Sequence, residues 1–354
     1  MAGLIGGTRV FLSGNGEYAN TFFYSELKNP EYFPINQFEI LGDVLDPITC
    51  MGKQYNSLVI FKERSVYLSF YTYEEDGVNF TVSQVSDAIG CDAPKTLLSI
   101  DNQLTWLNTN HGVMTLQSTG IRDEKNIKCI SENINGSLSE KALLNQENLK
   151  DSVGFLNRGK YYIVTKKYTY VLNMKNNFSI GASSDKMSWF LFDNISASDY
   201  FYVDREVYIT DKKRVCYFTK QLYDFYPDIP IKAYVRTKAI DFGMPGIFKY
   251  INDISFYLGS GNNSYVKTAF KDENGKFKKE YEFTLNKFNF LNFSFKRFTF
   301  YSDLFSMFIR RKILRRRCMF FTVIFENFKE NSQMAISDII INYDIEIGAR
   351  YNGI

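Results

Sequence analysis

One histidine, His111, stands in a chain of 354 residues. Nucleophilic triads, general acid–base pairs and most zinc hydrolase sites need one or more imidazoles. His111 sits in the polar run Asn108-Thr-Asn-His-Gly112 between two apolar stretches, where a turn residue is expected. The five cysteines, Cys50, Cys91, Cys129, Cys216 and Cys318, are spread along the chain without a Cys-x-x-Cys pair. Their odd number and spacing argue against a disulfide framework or a thiolate metal site and fit a reducing compartment. Carboxylates are scattered, with no calcium-loop motif and no paired acidic motif. Carboxylates from distant positions can still meet across a channel, so the sequence leaves a glycosidase open. Gly3-Leu-Ile-Gly-Gly7 has no strand before it and no helix after it, unlike a phosphate loop, and reads as a flexible lead-in. No catalytic, cofactor-binding or metal-binding residue is assigned, and the expectation is a protein that is not an enzyme.

The densest chemical feature is basic. Arg310, Arg311, Lys312, Arg315, Arg316 and Arg317 fall within eight residues, which makes them the candidate interface. Three readings compete: contact with an acidic protein neighbour, contact with DNA phosphate, and a solvated connection between two strands. No aromatic interrupts the run, as a stacking platform for single-stranded nucleic acid would require. The formal charge of the whole chain is only +3. Residues 231–354, however, hold 20 Lys plus Arg against 12 Asp plus Glu, so the first 230 residues are net acidic. That asymmetry suggests two surfaces with different neighbours.

The elements that would position these residues come from a repeat. Segments 57–69, 103–116, 160–172 and 205–218 each read as apolar strand, polar turn and apolar strand, and begin 46, 57 and 45 residues apart. A weaker copy stands at 8–16. Each of the four is preceded by another short strand, at 48–54, 96–101, 152–157 and 199–204. Three are followed by a fourth, at 78–83, 126–130 and 187–192. Four antiparallel strands per period is the blade of a β-propeller. An ordinary β-sandwich with coincidental spacing is the competing reading. The spacing predicts a propeller-like ring of five or six four-stranded blades over residues 1–243. The first blade lacks a visible innermost strand, and the strand at 231–242 finishes the fifth. Either a late strand completes blade one as a clasp, or the ring stays open and a neighbouring chain covers it. A short helical insertion near 137–150 explains the longest interval.

Beyond Gly243 the period stops. Strand candidates at 251–258, 264–270, 279–285, 290–295, 320–325 and 335–343 predict a C-terminal β-sandwich over 244–354. A hydrophobic content of 45% supplies a core for two or three domains. No run of 18 apolar residues spans a membrane and the start lacks a signal peptide, so a soluble chain that stays inside the cell that makes it is expected.

Val10-Phe-Leu-Ser-Gly-Asn-Gly16, Tyr24-Ser-Glu-Leu-Lys-Asn-Pro-Glu-Tyr-Phe-Pro34 and Leu58-Val-Ile-Phe-Lys-Glu-Arg-Ser-Val-Tyr-Leu68 together resemble tailed-bacteriophage structural proteins of the tail nozzle, or stabilization protein, type. Arg236-Thr-Lys-Ala-Ile-Asp-Phe-Gly243 is similar to that family's passage from propeller into a final β domain. The resemblance implies several copies in a ring beneath the portal and its adaptor, lining or supporting the DNA-ejection conduit, with non-specific DNA in the lumen. It also implies a place in the virion tail, assembled in the bacterial cytoplasm, and carries over no catalytic residue or cofactor. The alternative from another class is a carbohydrate-recognising propeller, an adhesin or weak glycan hydrolase, with Trp106 or Trp189 as sugar platform.

Overall fold

Short runs of β-branched and aromatic residues broken by polar turns favour antiparallel hairpins, and most of the described residues are built from them. The structure, a computed structural model, describes residues 2–5, 9–74, 77–117, 127–136, 138–174, 187–211, 214–218, 224–225, 229–259, 264–276, 280–285, 307–330 and 332–346. The chain divides into two units, Met1–Phe218 and Thr219–Ile354.

The first unit is propeller-like, a series of antiparallel meanders. Blade 1 holds β1 (Ala2–Ile5), β2 (Arg9–Ser13), β3 (Thr21–Tyr24) and β4 (Phe38–Ile40). Blade 2 holds β5 (Ile48–Gln54), β6 (Ser57–Lys62), β7 (Val66–Glu74) and β8 (Gly77–Ser86). Blade 3 holds β9 (Ala93–Ile100), β10 (Gln103–Asn108), β11 (Gly112–Leu116) and β12 (Ile127–Cys129). Blade 4 holds β13 (Val153–Asn157), β14 (Lys160–Val164), β15 (Thr169–Asn173) and β16 (Ser188–Phe192). Blade 5 holds β17 (Asp199–Val203), β18 (Glu206–Asp211) and β19 (Arg214–Tyr217). The first strands β1, β5, β9 and β13 each neighbour the first strand of the next blade, as propeller blades do at their inner edge.

Successive side chains of a strand point to opposite faces, and in this unit both faces find a core. Leu58 and Ile60 of β6 pack with Phe11, Phe22 and Tyr24 of blade 1. Val59 and Phe61 of the same strand pack the other way, with Leu104, Trp106, Met114 and Leu116 of blade 3. Leu107 and Val113 meet Tyr161, Ile163, Tyr170 and Leu172 of blade 4, and Tyr162, Val164 and Val171 meet Val207 and Ile209 of blade 5. Each such residue contributes about 2 kcal/mol by burial. A middle blade stripped of one neighbour would lose roughly the net stability of a whole domain.

Several turns are equally determined. The pairs Asp101-Asn102, Arg158-Gly159 and Asp204-Arg205 join the first and second strands of blades 3, 4 and 5, and all six residues have φ between 47° and 74°. Two consecutive positive φ values define the hairpin turn whose twist matches the strands. Lys62, fully buried at the end of β6, donates from Nζ to the carbonyls of Leu41 (2.7 Å) and Asp43 (2.8 Å). It thereby pins the connection from blade 1 to blade 2, while burial pushes its pKa down.

Four expectations change. The glycine-rich start is not a lead-in: Ala2–Ile5 pairs with β2 and supplies the innermost strand thought missing from blade 1. The helical insertion expected near 137–150 is not one helix over its described residues, 138–150, which show two 3-10 turns, Leu143–Asn145 and Leu149–Asp151, after a short α1 (Glu132–Asn135). Serine and asparagine in this stretch bond locally to the backbone and break a longer helix. Strand 231–242 does not complete blade 5. Its core, Ala233–Arg236, pairs instead with Thr322–Asn327, so the boundary expected at 243 falls after Phe218.

The fourth concerns the second unit. A short pair, β20 (Asp224–Phe225) and β21 (Ile229–Pro230), precedes two sheets. One contains β22 (Ala233–Arg236), β24 (Ser264–Asp272), β25 (Gly275–Lys276), β26 (Tyr281–Leu285) and β28 (Thr322–Asn327). The other orders β27 (Met307–Cys318), β23 (Lys249–Leu258) and β29 (Ile336–Ile345). Ile254, Phe256, Ile309 and Ile313 of the second sheet pack on Val266, Phe270, Phe283 and Phe325 of the first, which makes the expected sandwich. The basic run, for which a solvated connection between strands is one of the three readings, is itself strand β27. The strand expected at 290–295 lies outside the described residues.

Trp106 is the largest wholly buried side chain between blades 2 and 3, and its Nε1 donates to the Gly90 carbonyl at 2.9 Å. Trp106→Ala is therefore expected to cost about 4 kcal/mol. The remaining Trp189 reports the loss as a lower urea midpoint in fluorescence; an unchanged midpoint contradicts the two-faced packing.

Candidate functional site

Strand β27 pairs with β23 along nearly its whole length, from Leu258↔Met307 to Lys249↔Cys318. Ile309 and Ile313 face the core, and Arg311 lies between them on the same face. Its guanidinium sits over the rings of Phe283 (4.8 Å) and Tyr281 (5.6 Å), capping the edge of the core. On the opposite face Arg310 donates to Asp253 of β23 at 2.7 Å, and Asn342 donates to the other oxygen of that carboxylate at 2.6 Å. The Arg310 hydrogen bond is the main cause that holds the Asp253 carboxyl below its ordinary range. Lys312 stands opposite Asp253 in register and adds to the same effect.

A register shift follows. Lys312 opposes Asp253 and Arg316 opposes Ile251, so residues 313–315, with Arg315 among them, stand against Asn252 alone. Such a bulge re-aims the side chains beyond it. Arg316 now shares the face of Ile251 and reaches Asp272 of β24, with Nε at 2.8 Å and Nη2 at 2.6 Å. Arg317 donates to Glu346 from Nε (3.0 Å) and Nη2 (2.9 Å), and lies over the Phe248 ring. Glu346 also accepts from the Tyr250 hydroxyl, and Arg317 is the main cause of its lowered pKa.

Three of the six basic residues therefore hydrogen-bond a carboxylate of their own unit, Lys312 stands opposite one, and Arg311 lies on aromatic rings. Their chemistry is that of a clamp joining β27 to β23, β24 and the end of β29, with much of the charge already matched. Of the three sequence readings, none foresaw this internal pairing. The partners Asp253, Asp272 and Glu346 are isolated in sequence and become legible only through strand register.

The other sequence candidates are dispersed. His111 is exposed at the β10–β11 turn. Its backbone N–H donates to Asn108 Oδ1 at 3.0 Å and its carbonyl accepts from Asn135 at 3.2 Å. Trp106 is core, and Trp189 packs beside the core of blades 3 and 4 with Nε1 on the Ile130 carbonyl at 3.0 Å. Neither indole N–H is open to a sugar. A hydrogen bond with Cys50, with burial second, pushes the Cys91 thiol well up, and burial raises Cys318 to about 11. Both shifts run against nucleophilic use. Among the described residues no three His, Cys, Asp or Glu side chains converge as a metal ligand set, and no helix is long and apolar enough to cross a membrane.

One surface escaped the sequence reading. On the outer face of blade 5, Phe201, Tyr208 and Tyr217 form a ladder across three strands, with ring centroids 5.4 Å and 5.6 Å apart. Phe201 is 43% exposed and Tyr217 59%. The face of blade 1 that points away from blade 2 carries Leu12, Phe23 and Phe38 in register, with Ile40 beside them at 62% exposure. The sequence carried no periodic signal for it, because β2 and β18 hold apolar residues on both faces as β6 and β10 do, and only burial separates them: β2 and β18 have open positions where β6 and β10 are buried throughout.

No family model matches the sequence, and no curated protein matches it. Among solved structures, the WD40 domain of SCAP from fission yeast is similar at a TM-score of 0.30 and 8% identity, over 87% of this chain and 80% of that one. A likeness of that size says nothing of function.

The clamp makes the second unit acid-sensitive. A carboxyl whose pKa is lowered by folding stabilises the fold above its unfolded value, and that stability is lost as the pH falls through the folded value. Hydrogen exchange of β23 and β27 is expected to quicken below about pH 4. Asp253→Asn should quicken it already at neutral pH and flatten the acid dependence. Asp272→Ala, which strips Arg316 of a carboxylate that is 1% exposed, should cost about 2 kcal/mol. A variant as stable as the parent contradicts the clamp.

Proposed function

We propose that the chain is a structural protein of a bacteriophage virion tail. It forms an oligomeric ring of nozzle or head–tail stabilization type below the portal and adaptor, and lines or supports the conduit of DNA ejection. It performs no catalysis in this role. The observation that carries the reading is a blade series whose first and last blades leave apolar faces uncovered, followed along the chain by a β-sandwich; the segment that resembles the nozzle family's passage, residues 236–243, lies within that second unit. Two motifs of that resemblance fall on structural pieces: Val10-Phe-Leu-Ser-Gly-Asn-Gly16 on most of β2 and the turn after it, and residues 58–68 on most of β6 and the start of β7.

The clamp shapes the partners proposed. With Arg310, Arg316 and Arg317 matched by carboxylates, the basic strand is a weak anchor for DNA, and lumenal DNA meets this protein without strong retention. Contacts to the portal, the adaptor and other tail proteins then rest on shape and apolar area more than on net charge. Assembly takes place in the host cytoplasm, where the thiols stay reduced.

Gold-labelled antibody raised against the purified chain tests the assignment on intact tailed particles from the same source. Label at the head–tail junction or along the tail axis is expected. Label confined to the capsid shell, or particles that lack the chain altogether, contradicts it.

A further inference from the structure

Every contact between blades has one form. The forward face of one blade, such as Val59 and Phe61 of blade 2, meets the backward face of the next, such as Leu104 and Trp106 of blade 3. Five blades in a series leave one face of each kind over. The backward face of blade 1 offers Leu12, Phe23, Phe38 and Ile40; the forward face of blade 5 offers Phe201, Val203, Tyr208, Val215 and Tyr217. Solvated sheet faces read polar, and these two are mainly aromatic and aliphatic. Within one chain they remain open, with Val203 at 47% and Val215 at 60% exposure.

We propose that the forward face of blade 5 of one copy docks on the backward face of blade 1 of the next, continuing the blade stack from chain to chain. The inference rests on the ring reading above and names its contact surface. A second copy is the occupant because the two open faces are the two halves of an interface that the fold already builds four times between its own blades. The contact is heterologous: each copy gives one face and receives on the other. A head-to-tail contact of this kind closes into a ring when its rotation divides a full turn.

Sedimentation of the full chain and its variants at micromolar concentration tests the docking. Phe38→Glu blocks the blade 1 face and Phe201→Glu the blade 5 face; Ile40→Glu and Tyr217→Glu, at more exposed positions, repeat the test if the first pair folds poorly. Each single variant is expected to weaken self-association by about tenfold or more. An equimolar mixture of a blade 1 variant and a blade 5 variant should form a heterodimer and nothing larger, because each retains one complementary face. A wild-type oligomer that persists unchanged in all four variants overturns this surface while leaving the ring reading in place. A wild-type chain that stays monomeric overturns both, and a mixture that fails to pair overturns the head-to-tail geometry.

Discussion

The structure of the first unit depends on strands that must be buried on both faces. In β6 and β10 every residue is buried, odd positions toward one neighbour and even positions toward the other. A four-stranded meander of this composition cannot exist alone, because half of its apolar side chains would meet water. Blades therefore come in series, and the first and last of any open series inherit an unmet half. Stability between the blades inside the chain and the proposed docking of copies at its ends are in this sense one problem.

The second unit solves its electrostatics differently. Six basic residues on one strand would repel one another and strain the sheet. The bulge near Asn252 distributes them: Arg310 and Arg317 to carboxylates at one face, Arg316 to Asp272 at the other, and Arg311 to aromatic rings. The charge excess counted along the sequence is thus partly internal. A charge asymmetry that suggested two surfaces with different neighbours is used in good measure to hold two sheets and their edges together.

Much of the fold was legible because its causes are local. Apolar runs of strand length, polar turns and a period near fifty residues locate the hairpins of blades 2 to 5, and residues 251–258 and 264–270 locate strands of the sandwich. The misses share another cause. Ala2–Ile5 is a strand only because β2 offers it an edge. Ala233–Arg236 looks like any blade strand, and its partner, ninety residues downstream, is a matter of tertiary pairing. Strand β27 conceals its period because Arg311 takes a core-facing position between Ile309 and Ile313, where cation and ring contacts substitute for an apolar side chain. The candidate interface on blades 1 and 5 was hidden, because its strands are apolar on both faces like those buried between blades, and only the order of the blades shows which face is left open.

Electron micrographs of the purified full-length chain test the central claim, that this is a ring-forming structural protein whose blades continue from copy to copy. Closed rings of several copies around a central opening are the predicted result. Fields of isolated single-chain particles at the same concentration would contradict it.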